Sequence, residues 1–161
     1  MKVVVNTTPL ISLACVGRLD LFEQLFGGII LAKAVYREIK AKPGYGYAEI
    51  DQPWIEIRPI AGELYRSFLL TQLDAGEAET IILAREIAAD VVVIDENRGY
   101  QLAHQAGLPV VRTLSLLLSA KDKGYIKEIK PILEAMVTRG RWYSASVCRA
   151  LLVQAGEIHA Q

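Results

Sequence analysis

Net charge is the first thing this chain lacks: 18 lysines and arginines are balanced by 18 aspartates and glutamates. A protein that holds nucleic acid by electrostatics alone is usually basic, since each phosphate it neutralises is matched by a Lys or Arg. The balance argues against a broad, non-specific DNA coat. It leaves room for a nuclease, where a metal in an acidic pocket supplies positive charge locally. Long apolar runs are missing as well, none approaching the roughly 18 residues a membrane span needs. The opening MKVVVNTTPL has one Lys and no long apolar stretch ending in a small-residue cleavage site, so neither a signal peptide nor membrane attachment is predicted. Cysteine is scarce: Cys15 and Cys148 lie far apart in helical-looking apolar segments, without metal-ligand spacing, and read as two buried thiols. Together these features predict a cytoplasmic protein. Neither a GxGxxG element nor a P-loop Gly-Lys-Ser/Thr is present, which leaves little behind a small phosphate-ligand domain. Repeats, low-complexity stretches and linkers are also absent.

What is there is a globular composition, 52% hydrophobic and 22% charged, in a chain of 161 residues long enough for one substantial core. Val3-Val4-Val5 reads as a buried strand, with Thr8 as the cap and Pro9 as the first residue of a helix running through Leu10, Leu13 and Ala14 towards Gly17. A second helix starts at Arg18-Leu19-Asp20 and stops at Gly27-Gly28. Ile29-Ile30-Leu31 is the next strand, then a helix over 34–40, broken by Lys42-Pro43-Gly44-Tyr45-Gly46. Trp54-Ile55-Glu56-Ile57-Arg58 alternates apolar and charged side chains, as a half-exposed edge strand does. Helices over 61–72 and 75–89 lead to the buried strand Val91–Ile94, a helix over 98–106 and the strand Pro109-Val110-Val111. From Leu114 onward the pattern is helical, with breaks around Gly124 and Gly140. Alternating strands and helices predict an α/β fold: a parallel sheet of about four or five strands, right-handed crossovers, and helices on both faces. Such sheets gather functional groups at the carboxyl ends of strands near the topological switch point, which directs attention to the residues just after Val5 and Ile94.

Oxygen-bearing side chains stand at those places. Asp95 and Glu96 come after an apolar run, where an unpartnered carboxylate is costly and two are worse; a helix cap is the plain alternative. In Asp74-Ala75-Gly76-Glu77-Ala78-Glu79, Asp74 and Glu77 match a capping box. Glu77 also shares a helix face with Ile81, Ala84 and Ala88, which should point inward, whereas Glu79, about 200° around, falls on another face. Glu38 alone reads as a surface ion-pair partner, and Asn6, Thr7 and Thr8 as capping and turn residues. Taken together these positions supply oxygens that a doubly wound sheet can bring to one end. An all-oxygen set suits Mg²⁺ or Mn²⁺, which activates water for attack on a phosphodiester. Arg98 and Lys121 are the nearest basic residues, either phosphate contacts or solvated helix charges. Tyr45, Tyr47 and Trp54 suit base stacking or edge packing equally.

The blocks Val3-Val4-Val5-Asn6-Thr7-Thr8-Pro9-Leu10-Ile11, Val35-Tyr36-Arg37-Glu38-Ile39, Leu73-Asp74-Ala75-Gly76-Glu77-Ala78-Glu79, Val93-Ile94-Asp95-Glu96 and Thr113-Leu114-Ser115-Leu116-Leu117 carry a resemblance. In order and spacing, over about residues 2–135, the chain resembles PIN-domain proteins, in particular the branch similar to VapC toxins. The resemblance implies a Rossmann-like sheet, an acidic cluster binding Mg²⁺ or Mn²⁺, and ribonuclease activity on single-stranded RNA. It further implies a toxin of a toxin–antitoxin pair, with an antitoxin protein as partner and a homodimeric state. By position, Glu38, Glu77 and Asp95 are the expected catalytic and metal-site carboxylates, Glu96 an additional metal ligand, and Thr7, Arg98 and Lys121 the expected RNA contacts. Asn6 stands where the family pattern has Asp. An amide oxygen can still reach a metal but brings no charge, so a catalytically weak RNA- or protein-binding module on the same fold is the alternative. The nuclease domain is expected over 1–135. The helical extension 136–161, with its apolar Val147–Val153, is expected to pack on the domain or on another chain.

Overall fold

Two runs of consecutive β-branched residues, Val3-Val4-Val5 and Val91-Val92-Val93, have no polar face to turn to water. They form the two adjacent middle strands of the sheet. In the computed structural model, which describes residues 1–160, the strands are β1 (Val3–Val5), β2 (Ile29–Ala32), β3 (Ile55–Arg58), β4 (Val91–Val93) and β5 (Val110–Val111). The helices among the described residues are α1 (Thr7–Ala14), α2 (Asp20–Phe26), α3 (Lys33–Lys40), α4 (Glu63–Leu69), α5 (Ala75–Glu86), α6 (Asn97–Gln105), α7 (Thr113–Asp122), α8 (Lys130–Thr138) and α9 (Ala145–Gln154). The strand order is β3-β2-β1-β4-β5 and every pairing is parallel, with Val4 beside Ile30 on one flank and Val92 on the other. The α/β class and the parallel sheet agree with the sequence reading, and the alternating segment around Trp54 is the edge strand β3.

This order places the functional end. The chain moves outward from β1 through β2 to β3, then returns to β4 on the other side of β1 before reaching β5. The topological switch point therefore lies between β1 and β4, at the carboxyl ends that lead into Asn6 and into Asp95-Glu96.

Local structure departs from expectation in three places. Helix α1 begins at Thr7, so Asn6 rather than Thr8 is the N-cap residue, and the Asn6 side chain makes no capping bond. The Asn6 N–H is held by the Val93 carbonyl at 3.0 Å, so the strand runs to the very residue where the helix starts. Pro9 falls in the first turn, where its missing donor is harmless. Helix α4 starts at Glu63 rather than 61, and the Ala61 and Gly62 N–H groups just ahead of it donate to the Glu86 carboxylate. The third departure concerns α5. It packs against β1, β2, β4, α3, α4 and α6, so every residue from Gly76 to Ala84 is buried, and Glu79, expected on a face away from the core, is buried too. Its charge is met by Arg66 at 2.8 Å and by the Ala34 N–H at 3.1 Å.

The C-terminal helices join the same core. Leu133 and Met136 of α8 and Leu151 and Leu152 of α9 belong to the apolar cluster built on the sheet. Glu157 ties the end down by accepting from the Ile129 and Lys130 N–H groups and from Lys121 Nζ. Cys15 is buried and Cys148 half-buried, both as free thiols. Among the described residues no helix is long and apolar enough to cross a membrane.

Candidate metal centre

Helix α5 enters the domain through a complete capping box. Asp74 Oδ1 accepts from the Glu77 N–H at 2.8 Å, and Glu77 Oε2 accepts from the Asp74 N–H at 3.3 Å. The box fixes two carboxylates side by side at a positive helix end. A third, Glu96, comes from the loop after β4, held from across the switch point by the Thr8 hydroxyl at 2.9 Å. Asp74, Glu77 and Glu96 each present an oxygen within 4.8 Å of the others, with Glu77 buried and the outer two exposed.

Glycines make room for this packing. A Cβ on Gly99, in the first turn of α6, would stand 2.9 Å from Glu77 Oε1 and 3.1 Å from Ile94 Cγ2. A Cβ on Gly76 would come within 2.8 Å of Glu38 Cδ. That clearance lets the Glu38 carboxylate accept from the Gly76 N–H at 2.8 Å while its other oxygen takes the Thr7 hydroxyl at 2.6 Å. Glu38 thus stands at the start of α5, one residue away from Glu77.

Asp95 is engaged elsewhere. Each of its oxygens accepts one bond from Thr113, one from the N–H and one from the hydroxyl, both at 2.8 Å, so it closes the N-terminus of α7; it is not one of the three carboxylates of the cluster. Its burial pushes its pKa up, against the pull of those two Thr113 bonds and of the Arg112 and Arg141 charges. Asn6 is almost fully buried, and its Oδ1 accepts from the Thr80 hydroxyl at 3.4 Å. Of the basic residues singled out, Arg98 donates to Gln72 beside the α5 entrance. Lys121 is bound to Glu157 at 3.0 Å and to the Ala155 carbonyl at 2.7 Å, where it serves the chain's end. Tyr45 and Tyr47 are exposed, the Tyr47 ring lying under Lys40, and Trp54 packs partly on the core. The structure therefore draws Thr7, Thr8, Glu38, Glu77 and Glu96 together. It adds Asp74, whose capping pattern gave no hint of a second role, and the two clearance glycines.

The electrostatics of the cluster are those of crowded carboxylates. Burial, then the neighbouring charges of Asp74 and Glu96, raise the Glu77 pKa from 4.5 to about 7. Between those two values the folded protein keeps a proton that the unfolded chain has released. The stability of the metal-free protein should therefore fall as pH rises from about 4.5 to about 7 and level off above. Thermal denaturation across that window should show this slope in the wild type and a flatter one in Glu77→Gln, which has no proton to lose; equal slopes would refute the crowding. Crowding that drives a proton onto Glu77 is also what a hard divalent cation relieves, and the all-oxygen donor set fits Mg²⁺ or Mn²⁺.

A doubly wound α/β domain with a carboxylate pocket at its switch point defines a class whose chemistry lies at one end of the sheet. A PIN domain family model matches residues 2–157, and the chain belongs to that family. PIN domains are nuclease-type modules that generally use a divalent metal. No curated protein and no solved structure matches the chain.

Proposed function

We propose that this protein is a metal-dependent endoribonuclease that hydrolyses single-stranded RNA. The observation that carries the reading is the Asp74–Glu77–Glu96 cluster, three carboxylate oxygens within 4.8 Å at the switch point of a PIN domain. Asp74, Glu77 and Glu96 would hold the cation, with Glu38 beside them at the α5 entrance and Asp95 just outside. When bound there, Mg²⁺ or Mn²⁺ would supply the charge that lets these groups ionise together and the Lewis acidity that makes a water nucleophilic towards phosphorus. The chain's own part is to fix the oxygens beforehand. Thr8 orients Glu96, the Glu77 N–H orients Asp74, and Thr7 with the Gly76 N–H orients Glu38. Within this reading the chain is the toxin of a toxin–antitoxin pair, cytoplasmic and homodimeric, with an antitoxin protein as partner. The likeness of its first strand and helix to VapC toxins supports that role.

The specific observation favouring a second reading is Asn6. Its buried amide brings no charge to the position where the family pattern has Asp, and it is bonded to Thr80. A weakened site would leave an RNA- or protein-binding module. Cleavage of single-stranded RNA, with Mn²⁺ and with chelator, decides between them. The nuclease reading expects cleavage only with metal, and faster cleavage in Asn6→Asp, which adds a charge to the pocket. No cleavage by either protein, together with no heat of Mn²⁺ binding at millimolar concentration, would leave the binding module.

A further inference from the structure

Beside the carboxylate cluster lies a cleft of about 870 Å³, within the roughly 300–1,000 Å³ of small-molecule sites and far larger than a cation needs. Thr8, Asp95 and Glu96 form its wall on the metal-centre side, and Arg141 and Trp142, from the segment joining α8 to α9, line it as well. Trp142 is 84% exposed, a large aromatic surface left in water at the edge of this cleft. It is nevertheless carried on a fixed loop. The Arg141 N–H bonds the Met136 carbonyl at 2.9 Å, the Tyr143 hydroxyl donates to Ser12 Oγ at 3.5 Å, and Ser144 caps α9 by accepting from the Val147 N–H at 3.2 Å. The two guanidinium groups of the cleft differ. Arg112 is committed to the Asp95 carbonyl and to Asn97 Oδ1, and lies over the Tyr100 ring. Arg141, among the described residues, has no carboxylate within ion-pair distance and only partial burial.

We propose that this cleft seats an unpaired nucleotide of the RNA strand, its base stacked on the Trp142 indole and its phosphate against the Arg141 guanidinium. The inference rests on the ribonuclease reading and extends it, because it assigns the α8–α9 segment, which supplies no carboxylate to the cluster, to holding substrate. An aromatic face next to an arginine that makes no ion pair recognises an unpaired base and its phosphate without sequence preference, although the Arg141 charge is shared with Asp95 across the cleft. A base in a duplex is already stacked on its neighbours and has no free face to offer. The acidic wall repels the strand's phosphates, and Arg141 provides the local charge that a neutral protein does not supply overall. Because the loop's backbone is held before binding, the ordering that binding costs falls on the Trp142 and Arg141 side chains.

The test uses the full chain carrying Trp54→Phe, so that Trp142 is the sole reporter of the two tryptophans. A short single-stranded RNA oligonucleotide, added in chelator to prevent cleavage, should quench the Trp142 emission. Trp142→Ala, in which an exposed side chain is removed and the fold retained, has no reporter of its own, so its affinity and that of Trp142→Phe are read from the anisotropy of a fluorescein-labelled copy of the same oligonucleotide. Trp142→Ala should weaken binding roughly 5- to 150-fold. With Mn²⁺ present it should raise KM and leave kcat nearly unchanged, and Trp142→Phe should keep most of the affinity. Emission unmoved at saturating RNA, or equal affinity in Trp142→Ala, overturns the proposal, and leaves the ribonuclease reading standing if the parent still cuts RNA. A parent that neither binds nor cuts RNA, with or without Mn²⁺, overturns both.

Discussion

Glu77→Gln is expected to abolish Mn²⁺-dependent RNA cleavage, by about 100-fold or more, while leaving the metal-free protein at least as stable as the wild type at neutral pH. The two effects share one cause. Glu77 is the buried member of three crowded carboxylates, and its charge is disfavoured by burial and by Asp74 and Glu96. Removing that charge relieves the folded protein and leaves the pocket with two weaker, exposed ligands. Loss of an outer partner around a metal commonly lowers affinity or activity about 10- to 100-fold, and a direct ligand should exceed that. Glu96→Gln should lose cleavage too, with little change in stability, because Glu96 is exposed. Gly99→Ala separates geometry from charge. Its Cβ would meet Glu77 Oε1 at 2.9 Å, so the carboxylate must move, while α6 itself gains from the better helix former. A folded Gly99→Ala protein with about tenfold weaker Mn²⁺ binding is expected, in keeping with displacement of one ligand. Wild-type cleavage rates in Glu77→Gln, measured beside Mn²⁺ calorimetry, would remove the cluster from the chemistry.

The sheet was legible because its central strands are uninterrupted runs of β-branched residues: Val3–Val5 and Val91–Val93 cannot be read as anything half-exposed. The alternation at Ile55–Arg58 likewise marked an edge. The capping box at Asp74 and Glu77 could be read from spacing alone, since both its partners lie within four residues. Pairings made at long range could not. Thr8 with Glu96 and Thr7 with Glu38 join residues 88 and 31 positions apart, and nothing local distinguishes those hydroxyls from ordinary cap residues. Asp95 is a further case. The residue after a buried strand drew attention as a ligand, and the structure adds a link no spacing rule points to: each of its oxygens accepts one bond from Thr113, 18 residues on. Periodicity misled for Glu79, because a helix enclosed by strands and helices on every side has no solvent face on which to place its off-stripe residues. The role of Gly99 was equally hidden: a glycine in a first helical turn reads as a weak helix former until the carboxylate beside it is in view.

Arg66→Ala is expected to produce the largest loss of stability, about 2–4 kcal/mol, and a fall in melting temperature on the order of 5–12 °C. The Glu79 side chain is 7% exposed and takes the Arg66 guanidinium at 2.8 Å, whereas the Arg66 side chain is 28% exposed. Breaking a fully buried pair by removing one partner typically costs about 3–5 kcal/mol, because the other charge is left uncompensated. The partial exposure of Arg66 lowers that figure through solvent screening. What remains for Glu79 is the Ala34 N–H at 3.1 Å, a single donor for a carboxylate between α3, α4 and α5. The second substitution Glu79→Gln should return much of the lost stability on the Arg66→Ala background, since an amide carries no charge to strand in the core. Denaturant midpoints for the two single variants and the double variant measure the coupling directly. Strict additivity would mean that the pair is a surface contact of little consequence. A large coupling would make Glu79 the clasp that holds α4 against α5, through a carboxylate whose other oxygen takes the Ala34 N–H of α3.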